Sequence, residues 1–455
     1  MAATREENVT ARSRPLASTL EYRAQGVNKG FPVLALAMVA LALPASRGVS
    51  QVATADSVIT RQILPGVTHR RVTSPGGPWR INVLEIDLRR PELAIRGVRA
   101  CDRLFGRERP SAIARRLRTE GVDVVAVMNA DFFDLRGGTG ATESNVVVDG
   151  EIVKAVTLTD SPFDAFDNVH TQFGITAARV PLLERFQLEG TVRTPSGEWP
   201  LLAVNAIAAG GLSLLTRWSD SLVVKTAPLD DGIRVPLLKV GGKRDTAFYR
   251  VDSTGRTGPP AIGSEHIHVL VGNGPARAHT ERLRPGDRVS IVARLAPHHG
   301  PIRTLVGGWP RIVEAGKNVA LLADSIEGTV PRFSRERHPR TAIGVSRDSA
   351  TVYFVVVDGR QKSSIGMTLE ELANAMIALG AFEALNFDGG GSTALVVRDS
   401  IVNSPSDPNG ERPVGNAIVV TRHQNGVPTP RPAPRKTEYV PSCVVPTRRD
   451  TAQVR

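Results

Sequence analysis

The sequence predicts an α+β protein with a mixed β-sheet core, flanking helices and a β-rich insert in the middle. Residues 79–88 alternate apolar and polar side chains, which is the period of a half-buried strand. Residues 340–420 combine short apolar strands with one periodic helix. Between these regions, residues 194–316 consist of short strand-like pieces separated by Gly and Pro, as in an all-β insert.

The first part of the body contains one predicted helix and one buried strand. Residues 109–118 have helical periodicity, with Ser111 as the candidate N-cap. Residues 124–128 form an uninterrupted apolar run, which is typical of a strand covered on both faces. That run ends at Asn129, so we expect a polar side chain at the strand end.

The last third of the chain is the most regular. Its apolar runs predict strands over residues 352–357, 384–387, 394–397 and 417–420, and a helix over residues 369–379. Thr368 and Glu371 have the spacing of a capping box, and Gly380 is a natural C-cap. These polar residues are therefore interpreted as structural.

The two ends of the chain differ from the body. Residues 1–55 contain basic residues, an uncharged run over 31–43 and then small residues, which predicts an export signal. The run is shorter than the roughly 20 residues that span a bilayer, although an uncleaved N-terminal anchor stays an alternative. Residues 423–455 are rich in Pro and Arg and predict a flexible tail. Residues 56–123 then form a β-rich lead-in, and residues 124–422 form the main domain.

The formal charge of +12 does not indicate a nucleic-acid partner. Part of the excess lies in the two ends, and only 8 of the 57 basic residues are lysine, so the basicity is arginine spread along the chain. We therefore expect an exported protein of the periplasm, cell envelope or extracellular space, without nucleic-acid binding. The two cysteines, Cys101 and Cys443, are compatible with one disulfide in such a compartment.

Polar residues that could carry chemistry follow three predicted strands. The loop Asp388-Gly389-Gly390-Gly391-Ser392-Thr393 could expose backbone N–H groups as an anion nest, with hydroxyl donors beside them. Asn129 and Asp131 follow the buried run, and Asp358 and Arg360 follow the strand 352–357. Arg340 precedes a strand and is either a phosphate ligand or a surface arginine. We interpret these strand ends as one composite site, although each alone is compatible with a polar turn.

Several motifs, in order, resemble the phosphodiester glycosidase family. The sequence segments that carry the resemblance are N-A-D-F-F from Asn129, G-G-W-P from Gly307, R-T-A-I-G from Arg340, V-D-G-R-Q from Val357, G-M-T-L-E-E-L-A from Gly366, D-G-G-G-S from Asp388 and R-P-V-G-N-A from Arg412. The resemblance covers residues 124–420. It differs at Ala130, where the family commonly has glycine, and the insert matches only loosely.

The resemblance implies hydrolysis of the sugar C1–oxygen bond in glycosyl-1-phosphate diesters, such as those of N-acetylglucosamine, without a required cofactor. We assign Asp388 or Asp358 as the carboxylate that works on water, and Asn129 as the residue that orients the sugar. Arg340, Arg360 and the glycine loop would hold the phosphate. Asp131 and Asn416 complete the candidate site.

Other functions stay open at this point. The same site could belong to a glycosidase on anionic or unphosphorylated glycans, or to an envelope protein that binds glycans without turnover. A metal-dependent phosphodiesterase is disfavoured because histidine is scarce near the aspartates. No metal ligand is assigned, although a Ca²⁺ ion could support the Asp-bearing loops.

Overall fold

Among the residues that the structure describes, 48% lie in strands and 14% in helices, so this part of the chain is mostly β. The computed structural model describes residues 56–159, 161, 164–219, 223, 232–253, 265–423 and 443–444. The predicted α+β class therefore overestimated the share of helix in the fold. The described helices are few and short, and the described sheets are antiparallel except for one parallel pair. The predicted leader lies outside the described residues, as does most of the predicted tail.

The strands are numbered in chain order. They are β1 (Ser57–Leu64), β2 (Val67–Ser74), β3 (Trp79–Asp87), β4 (Leu93–Arg99), β5 (Asp123–Asn129), β6 (Val146–Val148), β7 (Glu151–Val156), β8 (Gln172–Thr176), β9 (Pro181–Glu184), β10 (Gln187–Thr194), β11 (Gly197–Val204), β12 (Leu212–Leu215), β13 (Ile233–Lys243), β14 (Thr246–Val251), β15 (Ile267–Gly272), β16 (Arg288–Ala296), β17 (Ile302–Gly307), β18 (Arg311–Glu314), β19 (Lys317–Asn318), β20 (Arg340–Ser346), β21 (Thr351–Val357), β22 (Ala381–Phe387), β23 (Leu395–Val397), β24 (Ser400–Ile401) and β25 (Asn416–Arg422). The α-helices are Pro110–Thr119, Arg277–Glu281, Ala323–Ile326, Pro331–Arg335 and Leu369–Ala378.

Two sheets pack face to face at the centre of the body. The eight-stranded sheet has the order β1-β2-β3-β21-β20-β22-β18-β19, and the five-stranded sheet has the order β24-β23-β5-β25-β4. Alternate residues divide between the two faces of each sheet. In β21, Phe354 joins the core between the sheets, whereas Val355 packs toward the helix Leu369–Ala378. In β5, Met128 faces the same central core, whereas Val127 packs toward the helix Pro110–Thr119. The result is four layers, with one helix on each outer face.

The predicted β-rich insert is a closed barrel. The strands β10-β16-β14-β13-β15-β12-β11 form a ring of seven that closes through the pairing of β10 with β11. The parallel pair is β11 with β12. From β11 the sheet continues through β7, β6, β17, β8 and β9. The barrel has its own core, in which Leu237, Leu270 and Ile291 are almost completely buried.

Local sequence signals account for the two longer helices. Thr368 and Glu371 form the predicted capping box, and Gly380 follows the helix with φ +101°. Ser111 is not the N-cap of the first helix, because Pro110 occupies its first turn and Arg109 precedes it. The backbone N–H of Ser111 instead donates to the Glu411 carboxylate at 3.0 Å.

The disulfide left open by the sequence is present. Cys101 and Cys443 are bonded, with their Cα atoms 5.6 Å apart. Val444 exchanges two backbone hydrogen bonds of 2.9 Å with Arg107, so this late segment is fixed to the start of the body. No helix in the described part of the chain is long and apolar enough to cross a membrane.

Candidate active site

A cavity of about 630 Å³ lies where strand ends of the two central sheets meet. It is lined by Arg340, Arg360, Asp388, Gly389, Gly390 and Gly391, all of which were predicted from the sequence. Aromatic residues and further cations complete its walls. We call it the aspartate cavity. It brings part of the predicted composite site together, but it leaves out several of the predicted residues.

The glycine loop after β22 fits because its neighbours leave little room for side chains. A Cβ atom on Gly389 would lie 2.6 Å from the Pro339 carbonyl oxygen. A Cβ atom on Gly391 would lie 2.0 Å from the Asp407 carboxylate, and Gly390 has φ +58°. Side chains at these positions would therefore push the loop away from its neighbours.

Asn129 anchors this loop. It ends β5 in the five-stranded sheet, and its amide nitrogen donates to the Asp388 carbonyl oxygen at 2.6 Å. Its amide oxygen accepts from the Thr341 hydroxyl at 3.0 Å and from the Ala394 backbone N–H at 3.1 Å. Asn129 is 1% exposed and does not line the cavity. The predicted contact with a sugar is therefore wrong, and Asn129 is a positioning residue.

Most of the loop does not form the predicted anion nest, because four of its N–H groups already have partners. Gly390 N–H donates to the Pro339 carbonyl at 2.9 Å, Ser392 N–H to Gly389 at 3.0 Å, and Thr393 N–H to Gly390 at 3.3 Å. Gly389 N–H bonds the Asp388 carboxylate. Glycine is needed in this loop for close approach, and any bound anion must be held mainly by side chains.

Asp388 places a carboxylate in the lining of the cavity, beside the glycine loop. Burial raises its pKa to about 7, and the nearby charge of Asp131 raises it further. Hydrogen bonds from Ser392 and Gly389 and the charge of Arg412 oppose this rise. A carboxylate with a pKa near neutrality is suited to accept a proton from water.

Arg340 is a buried cation without a carboxylate partner. Its guanidinium is 1% exposed and donates to the carbonyl oxygens of Met367 at 2.8 Å, Phe333 at 2.8 Å and Glu336 at 3.0 Å. Among the described residues it makes no salt bridge. Burial lowers its pKa to about 9, with a smaller contribution from Arg360, so it stays charged at neutral pH. Such a charge is costly to bury unless an anion compensates it.

Two further arginines lie beside the loop. The guanidinium of Arg360 approaches Gly390, where a Cβ atom would lie 3.2 Å from its Nη2. Arg412 forms a two-pronged salt bridge with Asp407, at 2.8 and 2.9 Å, and also lines the cavity. His338 lines it too, and burial together with Arg340 lowers its pKa. The lining of the cavity is therefore predominantly cationic, with Asp388 and Asp164 as its two acidic residues.

Besides Asn129, five predicted residues lie in the scaffold instead of the cavity lining. One of them is Ser392, whose side chain hydrogen-bonds the Asp388 carboxylate. The Asp358 carboxylate accepts from the Ser404 N–H at 2.9 Å and from Asn403 at 3.3 Å, and so holds the loop after β24. Asn416 accepts from the Asp131 backbone N–H at 3.0 Å. The Asp131 carboxylate accepts from the N–H and hydroxyl of Ser144. The remaining residue is Thr393, whose hydroxyl oxygen lies within hydrogen-bond distance, 3.3 Å, of the Thr341 hydroxyl oxygen.

The sequence interpretation missed the aromatic wall of the cavity. Trp309 and Phe333 stack with ring centroids 4.6 Å apart, and Phe132 meets Trp309 edge-on at 5.6 Å. Behind them, His170 stacks on Trp309 and bonds Asp164 at 2.6 Å. Phe132 and Trp309 belong to two of the motifs that carry the family resemblance. Nothing in the sequence showed that their rings are in contact.

Glu143 was missed as well. Burial raises its pKa to about 7, with the Asp131 charge as the next cause. Asp131 thus raises the pKa of both Glu143 and Asp388, which links three carboxyl groups behind the cavity. The positive charge of Lys154 opposes these rises, because it lowers the pKa of both Asp131 and Glu143. In the described residues no group of three or more His, Cys, Asp or Glu side chains could hold a metal ion.

A family model matches part of the chain that includes cavity residues. The family model described as phosphodiester glycosidase matches residues 241–421, which include Arg340, Asp388 and Arg412. The chain carries a phosphodiester glycosidase family domain. This is a family of hydrolases. The SPbeta prophage-derived protein YomE of Bacillus subtilis is 37% identical over 71 residues, which is 16% of this chain and 11% of that protein.

Two solved structures have a fold similar to that of this chain. A hypothetical protein from Synechocystis aligns with a TM-score of 0.61 and 21% identity, over 81% of this chain and 64% of that one. A Burkholderia pseudomallei protein named as exported aligns with a TM-score of 0.55 and 23% identity, over 78% and 76%. The catalytic domain of the zebrafish N-acetylglucosamine-1-phosphodiester alpha-N-acetylglucosaminidase gives 0.41 and 13%, over 81% and 83%. The chain thus spans less than two thirds of the Synechocystis protein and about a tenth of YomE.

We predict that Asn129→Ala destabilises the protein. The substitution removes three hydrogen bonds that join β5 to β20 and to the Asp388 loop. We expect the free energy of unfolding in urea to fall by about 2 kcal/mol or more, because buried partners lose their hydrogen bonds. Asn374→Ala, on the exposed face of the helix Leu369–Ala378, is the control and should cost less than about 0.5 kcal/mol. Equal losses in the two variants would contradict the anchoring role.

Proposed function

We propose that this protein hydrolyses glycosyl-1-phosphate diesters at the sugar C1–oxygen bond. The observation that supports this best is the buried Arg340, which has no carboxylate partner among the described residues and lines the same cavity as Asp388. A phosphate diester would supply the missing negative charge, and Arg360 would bind a second phosphate oxygen. The family of the matched domain, a family of phosphodiester glycosidases, agrees with this substrate class.

The sugar and the phosphate have separate positions in this proposal. Phe333 is partly exposed and stacks on the buried Trp309, so it offers an apolar surface to the sugar ring. The phosphate lies between Arg340 and Arg360, beside the glycine loop. The C1 atom then lies near the Asp388 carboxylate. The cavity volume of about 630 Å³ is sufficient for one sugar and its phosphate.

The chemistry requires one base and little acid assistance. Water attacks C1, the C1–oxygen bond breaks, and its electron pair leaves with the phosphate monoester. Asp388 accepts the proton that the attacking water loses, so the products are the free sugar and the monoester. Arg340 and Arg360 stabilise the charge that develops on the leaving phosphate. Of the two aspartates considered from the sequence, we choose Asp388 as the base, because Asp358 is bonded into the loop after β24.

We also propose that the protein acts outside the cytoplasm. The disulfide between Cys101 and Cys443 is typical of an oxidising compartment. The Burkholderia pseudomallei structure, which has the same fold, is named as an exported protein. Both agree with the export signal predicted for residues 1–55. Its substrates would then be glycans of the cell envelope or the surroundings.

We predict that Asp388→Asn and Arg360→Ala each abolish most of the diester hydrolysis. The purified protein is assayed with the methyl diester of N-acetylglucosamine-1-phosphate and with a nitrophenyl glycoside. Asp388→Asn removes the base at nearly constant volume, so kcat should fall by about 10²–10⁴-fold. Arg360 is exposed and has no described salt bridge, so Arg360→Ala should lower kcat/KM by about 10-fold or more without unfolding the protein.

Arg250→Ala is the matched control, because Arg250 is exposed on the barrel strand β14, far along the chain from the cavity residues. It should retain the activity of the unaltered protein. Cleavage of the glycoside alone would favour a glycosidase without phosphate specificity. Saturable sugar binding without turnover would favour the non-catalytic glycan-binding protein and would contradict the proposal.

We predict that kcat/KM rises with pH through about 7. Asp388 acts only when ionised, and its pKa of about 7 keeps much of it protonated below neutrality. The rise should occur between about pH 6 and 8, and it should be missing from the residual activity of Asp388→Asn. The same raised pKa means that the folded state binds more protons than the unfolded state above about pH 4. The free energy of unfolding should therefore fall between about pH 4 and 7, and less so in Asp388→Asn. A pH-independent kcat/KM would exclude Asp388 as the base.

A further inference from the structure

A second cavity, of about 720 Å³, adjoins the aspartate cavity. Phe133, Leu135 and Arg136 line both cavities, so the two share one wall. We call the second one the leucine cleft. It lies between the segment after β5 and the barrel, where Leu202 of β11 forms part of its far side.

The walls of the leucine cleft are largely apolar. Side chains of Leu135, Val156, Leu158, Leu202 and Ile207 line it. Leu158 is 55% exposed and Leu135 is 40% exposed, although contact of a large aliphatic side chain with water is unfavourable. Exposed apolar side chains that gather beside a cavity are typical of a ligand-binding groove.

Two charged groups of the cleft, on Lys154 and Glu143, are already bonded within the protein. Lys154 Nζ donates to the carbonyl oxygen of Glu143 at 2.9 Å and to that of Thr142. The Glu143 carboxylate accepts from the Ser161 hydroxyl at 2.8 Å. These groups therefore do not require a polar ligand. The remaining lining is better matched by hydrocarbon than by a second sugar.

We propose that the leucine cleft binds the aglycone of the substrate, and that this aglycone is the alkyl chain of a long-chain alcohol esterified to the phosphate. The inference rests on the proposed function, because the aspartate cavity is filled by the sugar and the phosphate. The chain leaves the phosphate at Arg136, where the two cavities join, and continues between Leu135 and Leu158. The substrate class is thus a glycosyl-1-phosphate ester of an apolar alcohol.

The test compares the octyl and methyl diesters of N-acetylglucosamine-1-phosphate, below the micelle concentration of the octyl compound. The octyl diester should have a kcat/KM about tenfold higher or more, because most of its extra methylene groups leave water. Leu158→Asp and Ala209→Trp, which respectively charge and fill the cleft, should remove this preference and leave methyl-diester hydrolysis unchanged. Leu321→Asp, at a leucine 59% exposed elsewhere on the surface, is the control and should keep the preference.

Equal kcat/KM for the two diesters would overturn the inference, as would an equal effect of Leu158→Asp on both. Binding of octyl phosphate and methyl phosphate, measured by calorimetry, separates this inference from the proposed function. If neither diester is cleaved, the proposed function fails. Octyl phosphate should then still bind about tenfold tighter than methyl phosphate, and Leu158→Asp should remove the difference. Equal or undetectable binding would overturn the aglycone assignment too.

Discussion

The amide of Asn129 joins the two central sheets at the point where the candidate site is built. Its nitrogen holds the backbone of the Asp388 loop, and its oxygen holds Thr341 of β20 and Ala394 before β23. A carboxylate would lack the donor for Asp388, and a shorter side chain would leave buried donors without partners. Asp388 follows β22 of the eight-stranded sheet, whereas Asp131 and Arg412, whose charges shift its pKa, lie next to strands of the five-stranded sheet. The electrostatics of the cavity therefore depend on this junction.

Burial of Arg340 and Asp388 at the cavity costs electrostatic free energy. Arg340 is buried against carbonyl oxygens, and Asp388 is surrounded by protein near a second carboxyl group, so both charged forms are disfavoured. The two groups line one cavity without bonding each other directly, since Arg340 makes no described salt bridge. An anion bound by Arg340 would compensate the first cost. The raised pKa of Asp388 would lower the barrier to proton transfer, because a base with a pKa near 7 is matched to neutral pH.

The elements of the fold were more predictable than their assembly. Strands β3, β5 and β21 and the capped helix Leu369–Ala378 follow from local periodicity and capping, which require no distant contact. Closure of the barrel depends on the pairing of β10 with β16, which joins distant parts of the chain. Within the site, Asp358 and Asp388 are equivalent in sequence, as each follows an apolar strand. Only the packing of the loop after β24 turns Asp358 into a scaffold residue. The three glycines of the loop correctly indicated that neighbouring groups approach its backbone closely. They gave no information on which backbone N–H groups had hydrogen-bond partners.

The central claim is that the arginines hold a leaving phosphate while water attacks the sugar carbon. Hydrolysis of the methyl diester in ¹⁸O-labelled water, followed by mass spectrometry of the released methyl phosphate, tests it most directly. Cleavage of the C1–oxygen bond leaves all the original oxygen atoms on phosphorus, so the account predicts an unlabelled phosphate monoester. An ¹⁸O atom in the phosphate would mean attack at phosphorus. The protein would then be a phosphodiesterase, and the role assigned to Asp388 and Arg340 would be contradicted.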